Sequence, residues 1–212
     1  YFCILFADTS PLYHNKMKRL KGNVTLITGG GKGIGFGLAQ AFASEGSDLV
    51  ITGRTESRLL SAKERLENEY GIKVLPIVAD GADEDAIKNV VAKTIATFGK
   101  INTLVNNAQV SKSGLPLIEH TREDLDLAIH SGLYAAFFYM RECFPYLKES
   151  KGSVINFASG AGLFGKLGQS SYAAAKEGIR GLSRVAATEW AKDGIGVFVV
   201  CPLAWTAQLE QF

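Results

Sequence analysis

The 212-residue sequence predicts an α/β protein in which a doubly wound parallel sheet forms a single domain. Three observations predict this. Short β-branched runs alternate with longer segments of helical periodicity. The runs are apolar throughout rather than at every second position, as strands covered on both faces require. The first run also ends in glycines that open directly onto a helix.

The first strand is Val24 to Thr28, followed by a helix over Ile34 to Glu45 whose apolar positions recur at helical spacing. Leu49 to Thr52 is the second strand, Glu56 to Tyr70 a charged helix, and Val74 to Ala79 the third strand. Acidic residues suit the start of a helix over Ala82 to Phe98, because they face the positive end of its dipole. Ile101 to Val105 is the fourth strand. Two further helices are expected over Thr121 to Ile129 and Leu133 to Lys148, the second apolar around most of its circumference and therefore buried. Val154 to Phe157, a long helix over Ser171 to Asp193, and Val197 to Val200 complete six strands.

The remaining bulk properties narrow the function classes. A composition of 47% hydrophobic and 21% charged residues is that of a globular protein, and excludes disordered and fibrous classes. A net charge of +2, with no clustered Lys and Arg, argues against a nucleic-acid partner. Cys3, Cys143 and Cys201 are too far apart for a CxxC site, so no metal is expected and a reducing compartment, the cytoplasm, fits. The apolar run Tyr1 to Ala7 is too short to span a membrane. Residues 1–20 are taken as an N-terminal extension, with Met17 as a natural start, and 21–212 as the domain.

Thr28-Gly29-Gly30-Gly31-Lys32-Gly33-Ile34-Gly35 lies between the first strand and first helix, where backbone N–H groups and a helix N-terminus suit a pyrophosphate. Gly29 permits the sharp turn, Gly33 the approach of backbone to phosphate, and Gly35 the close packing of helix on strand. A phosphate loop of the Walker type is excluded because Lys32 is followed by glycine rather than Ser or Thr. The end of the second strand, where an adenosine ribose reaches, carries Arg54 and no carboxylate. With Lys32 nearby, Arg54 favours the 2′-phosphate of NADP(H), NAD(H) remaining the alternative. Asp80 is placed either to accept from the adenine amino group or to cap the helix expected at Ala82.

Tyr172-Ala173-Ala174-Ala175-Lys176 sets a phenol and an ammonium on one helical face. The pair opens the helix after the fifth strand, with Ser159 just past that strand. A doubly wound sheet binds its ligands at the carboxyl ends of its strands. In order and spacing, the glycine turn, Asn106-Asn107-Ala108, Ser159, Tyr172 and Lys176 resemble the short-chain dehydrogenase/reductase family, over about Lys21 to Thr206.

The resemblance implies a Rossmann-like oxidoreductase that interconverts a carbonyl and a secondary alcohol by hydride transfer. Tyr172 would be the general acid/base, Lys176 would depress its pKa and hold the nicotinamide ribose, and Ser159 would orient the substrate oxygen. Ile34, Asn106 and Ala108 would line the cofactor, and Pro202 with Thr206 would meet its nicotinamide end. A homodimer or homotetramer built on the two long helices is also implied. An ordinary phenol, with a pKa near ~10, is a poor base at neutral pH, so a neighbouring cation is chemically apt.

Several positions depart from the family pattern. An asparagine that anchors a water beside the lysine is replaced by Gly132, for which Ser131, His130 or a backbone carbonyl with a water chain could substitute. Gln109 stands where glycine is usual, so it would crowd the cofactor or touch substrate, and Leu203 follows Pro202. The chain stops at Phe212, before the expected flap and seventh strand. These departures support a second expectation, a nucleotide-binding or structural homologue without turnover.

Overall fold

A computed structural model of the chain describes residues 18–202. Six parallel strands form one sheet: β1 (Val24–Thr28), β2 (Asp48–Gly53), β3 (Val74–Val78), β4 (Thr103–Asn106), β5 (Ser153–Phe157) and β6 (Gly196–Val200). Their spatial order is β3-β2-β1-β4-β5-β6. The chain therefore winds outward one way from β1 and then returns to wind the other way from β4. That reversal opens a crevice between the carboxyl ends of β1 and β4.

The helices between them are α1 (Gly33–Ser44), α2 (Glu56–Tyr70), α3 (Glu84–Phe98), α4 (Arg122–Ala128), α5 (Ala135–Ser150), α6 (Gly160–Phe164) and α7 (Ser170–Trp190). Alternation of side chains along each strand divides the core into two layers. Val24, Leu26, Val50, Leu104 and Val154 meet α3, α5 and Ala186 of α7 on one face. Ile27, Leu49, Ile51, Val105 and Phe157 meet α1 and α2 on the other. Leu26, Ile27, Leu49 and Leu104 are fully buried, each contributing about 1.5–3 kcal/mol through removal from water. β6 lies at the edge of the described sheet and exposes Phe198 and Val199.

The expected elements are present, with differences that have local causes. The helix expected from Ala82 begins at Glu84 because Asp83 caps it, accepting from the N–H groups of Asp85 and Ala86. Thr121 is likewise a cap rather than a helical residue, forming a reciprocal capping box with Asp124. The two helices expected around residue 130 are joined without a loop, by a π-helical segment over Ile129–Tyr134. The short helix α6 and a 3₁₀ turn over Leu117–Glu119 were not expected, being too brief to carry a period.

Candidate active site

The crevice is held together by Thr28, the last residue of β1. Its Oγ1 accepts from the backbone N–H groups of Asn107 and Ala108, both at 3.0 Å. The Asn107 side chain returns the link, donating from Nδ2 to the Thr28 carbonyl at 3.0 Å. The glycine turn is thereby fastened to the segment after β4. Neither residue stood among the expected site residues; the signal was a polar residue at the end of the strand, where the glycine turn begins.

Three of the five glycines of the turn play different parts. Gly29 has φ +70° and Gly33 φ +55°, a left-handed backbone that side chains other than glycine strain to adopt. Nothing lies within 4 Å of where a Cβ on Gly33 would stand, so the N-terminus of α1 opens onto free space. A Cβ on Gly35 would collide with the carbonyl oxygen of Gly29, so the turn folds down onto α1 itself. Ile34 packs partly into the core layer beneath. Lys32 is the exposed cap residue of α1.

Arg54 stands exposed one residue past β2, in no salt bridge or side-chain hydrogen bond among the described residues. Asp80 is also exposed, and its carboxylate accepts from the N–H of Ala82 at 3.0 Å. It thus shapes the turn before α3, while the cap itself is Asp83. Asn106 is turned inward rather than along the crevice. Its Nδ2 donates to Asn156 Oδ1 at 2.8 Å, and Asn156 in turn donates to Ser183 Oγ at 2.8 Å, so it joins β4 to β5 and α7. Ala108 is exposed and Pro202 half-buried, whereas Thr206 and Leu203 lie outside the described residues.

Across the crevice, β5 and α7 bring Ser159, Tyr172 and Lys176 together. The Lys176 ammonium lies 5.5 Å from the centre of the Tyr172 ring and donates to the Phe157 carbonyl at 2.6 Å. Lys176 is only 4% exposed, and burial draws its pKa down from the usual 10.5 to about 8, against the opposing charge of Cys201. The Tyr172 phenol is pushed above the ordinary tyrosine value, first by burial. The Ser159 hydroxyl opposes that rise and Cys201 adds to it. The net shift is upward, opposite to the depression expected from Lys176, because burial outweighs the other influences on the phenol. Ser159 also caps α6, its Oγ accepting from Ala161 N at 3.1 Å.

The residues around Gly132 have definite places. Ser131 Oγ is within hydrogen-bond distance of the carbonyls of Val110, at 2.7 Å, and Leu127, at 2.6 Å. It also accepts from Val110 N at 3.0 Å. His130 is exposed and its Nδ1 bonds the Asp126 carbonyl at 2.7 Å. Both side chains are hydrogen-bonded within their own neighbourhood. Gln109 packs against Gly132. No group of His, Cys, Asp or Glu able to hold a metal occurs among the described residues.

Comparisons with known proteins bear on the fold and the family. Residues 23–211 match the family model described as short chain dehydrogenase. A 12α-hydroxysteroid dehydrogenase of a Clostridium species is 66% identical over 90% of this chain and 76% of its own length. Among solved structures, an NAD⁺-bound xylitol dehydrogenase superposes with a TM-score of 0.87 at 26% identity, covering 91% of this chain and 75% of that one. A metagenomic short-chain oxidoreductase in complex with NADP gives a TM-score of 0.83 at 30% identity, covering 88% and 84%.

Proposed function

The chain belongs to the short-chain dehydrogenase family and is an NAD(P)-dependent oxidoreductase, and from that premise we propose that it interconverts a secondary alcohol and a ketone with NADP(H), using Tyr172 as general acid/base. The observation that carries this reading is the placement of Tyr172 and Lys176 beside Ser159, across the crevice from the glycine turn.

The residues fit a dinucleotide. Open space over Gly33, the N–H groups at the start of α1 and the exposed Lys32 would hold the phosphates. The uncommitted guanidinium of Arg54 at the end of β2 would pair with a 2′-phosphate, and this supports NADP(H) over NAD(H). The bound dinucleotide supplies or accepts the hydride. Ser159 would orient the substrate oxygen and Tyr172 would give it a proton, or take one in the reverse direction. Burial favours the neutral phenol, which is the donating form needed for carbonyl reduction.

For the substrate, the hydroxysteroid specificity of the Clostridium relative is supported by the surface around the crevice. Gly114 N donates to the Gly168 carbonyl at 2.7 Å, tying the segment after β4 to the turn before α7. Exposed apolar side chains flank that tie: Leu117 and Ile118 on one segment, Phe164 and Leu167 on the other. Such a rim suits a large, rigid, apolar alcohol or ketone better than a small polar one.

No helix among the described residues is long and apolar enough to cross a membrane. The free thiols of Cys143 and Cys201 support a reducing compartment, the cytoplasm. Phe137 of α5 and Val185 of α7 are exposed apolar residues on the two long helices, which supports a homodimer or homotetramer through that face. The deciding experiment is NADPH oxidation with 3-, 7- and 12-ketosteroids beside small ketones. Turnover of a ketosteroid is expected; NADPH binding without turnover of any carbonyl would instead favour a nucleotide-binding homologue.

A further inference from the structure

The segment after β4 is held through its backbone at every second residue. Ala108 donates its N–H to Thr28 Oγ1 at 3.0 Å, and Ser131 Oγ grips Val110 at both its N–H and carbonyl. The Lys112 carbonyl accepts from Ser171 Oγ at 3.3 Å, and Gly114 donates its N–H to the Gly168 carbonyl at 2.7 Å. A period of two is that of an extended chain. The partners belong in turn to β1, the π-helical segment, the first turn of α7 and the connection that leads into α7. The segment is thus a strap that begins at the glycine turn and ends beside Tyr172, the residue after Ser171.

The last bond of the strap needs glycine on both sides. Gly114 has φ +90° and Gly168 φ +69°, and a Cβ on Gly168 would stand 3.0 Å from Gly114 Cα and 3.2 Å from its carbonyl carbon. A methyl there presses on backbone, which has no rotamer through which to yield. Gly165, in the same connection between α6 and α7, has nearly the same backbone, φ +65°, yet nothing lies within 4 Å of where its Cβ would be. One glycine therefore serves conformation alone and the other serves contact. Leu117 and Ile118 follow Gly114 closely in sequence, and Phe164 and Leu167 precede Gly168. Ile118 is 93% exposed and Leu167 95%, so neither is used in packing the described fold.

We propose that Gly114 and Gly168 are specificity-determining residues: their contact fixes the distance between the strap and the turn leading into Tyr172, and so holds the two apolar segments together as one surface for a large apolar alcohol or ketone. The Ser171 bond to Lys112 supports the same closure one step along the strap. A small ketone reaches Ser159 and Tyr172 without extending onto that surface. Tyr172 itself is held separately, because Lys176 fastens α7 to Phe157. The contact therefore acts on the binding of large substrates and leaves the proton-transferring group in place. This inference rests on the reading of the crevice as a carbonyl and alcohol site.

The test compares Gly168→Ala with Gly165→Ala, which strains the same connection without a collision. Kinetics are measured with NADPH and either a 12-ketosteroid or a small ketone. Gly168→Ala is expected to raise KM for the ketosteroid about tenfold or more, the scale of a lost apolar contact, with kcat and the small ketone's KM within about twofold. Gly165→Ala is expected to leave KM for both ketones within about twofold. Should Gly168→Ala fail to fold, Ser171→Ala loosens the same strap without altering a glycine and is expected to give the same split. Equal losses with both ketones, or a ketosteroid KM no higher in Gly168→Ala than in Gly165→Ala, overturn the proposal. A wild-type protein that turns over no carbonyl overturns the functional reading instead. Calorimetric ketosteroid affinity in the NADP complexes then decides the role of the contact: weaker binding in Gly168→Ala alone supports it, and equal affinities, or none in the wild type, overturn it.

Discussion

The Lys176 ammonium donates to the Phe157 carbonyl at 2.6 Å, which fastens the first turns of α7 to the carboxyl end of β5. The bond fixes the spacing between the tyrosine, one helical turn earlier, and Ser159, two residues past Phe157. It also places a cation where water is largely excluded, and this has a measurable consequence for stability.

Burial draws the Lys176 pKa from 10.5 to about 8, so between those values the unfolded chain binds more protons than the folded one. Stability carried by this group therefore rises with pH across that window and is penalised below about pH 8. Lys176→Met is expected to gain stability relative to wild type near pH 7, with the gap narrowing toward pH 10.5. Each pKa unit is worth about 1.4 kcal/mol, so the change should be no more than a few kcal/mol. Urea denaturation of both proteins at pH 7 and pH 10 checks it; a gap that widens with pH would contradict the sign.

Arg54→Ala is expected to weaken NADPH binding about tenfold or more while leaving NADH binding nearly unchanged, because only the former carries a 2′-phosphate for the guanidinium. Fluorescence titration with each cofactor measures this. An unchanged ratio of affinities would remove Arg54 from the site.

Gly35→Ala and Gly33→Ala separate two kinds of glycine. The first puts a methyl against the Gly29 carbonyl and is expected to abolish dinucleotide binding by opening the turn. The second meets no atom and strains only a backbone at φ +55°, so binding should weaken by roughly tenfold, the equivalent of 1–2 kcal/mol. Equal losses in calorimetric titrations would contradict this division.

Thr28→Val keeps the shape of β1 while removing the acceptor for two backbone N–H groups. Leaving them unpaired is expected to cost about 1–3 kcal/mol. In a chain of this size that corresponds to a fall in Tm of about 2–12 °C, measured by calorimetry.

The strands were legible because runs such as Val24–Thr28 and residues 49–52 within β2 are largely apolar for a reason that acts locally, burial on both faces. Tyr172, Lys176 and Ser159 were legible because a helical turn and a strand end fix their spacing. The Thr28–Asn107 link was not, since it joins residues 79 positions apart. Nor was the inward turn of Asn106, which depends on Asn156 lying opposite it in register. The π-helical segment escaped notice because the apolar residues around it fit an ordinary helix as well. Gln109 stood out as a departure, but its packing against Gly132 became visible only when the segment after β4 and the π-helical segment were placed side by side.

The most direct measurement compares wild type with Tyr172→Phe in reducing a 12-ketosteroid with NADPH, alongside NADPH affinity for each. Removing only the phenolic oxygen is expected to lower kcat by at least a hundredfold, with NADPH affinity changed by less than about threefold. A variant that keeps more than a tenth of wild-type kcat would show that the proton travels by another group.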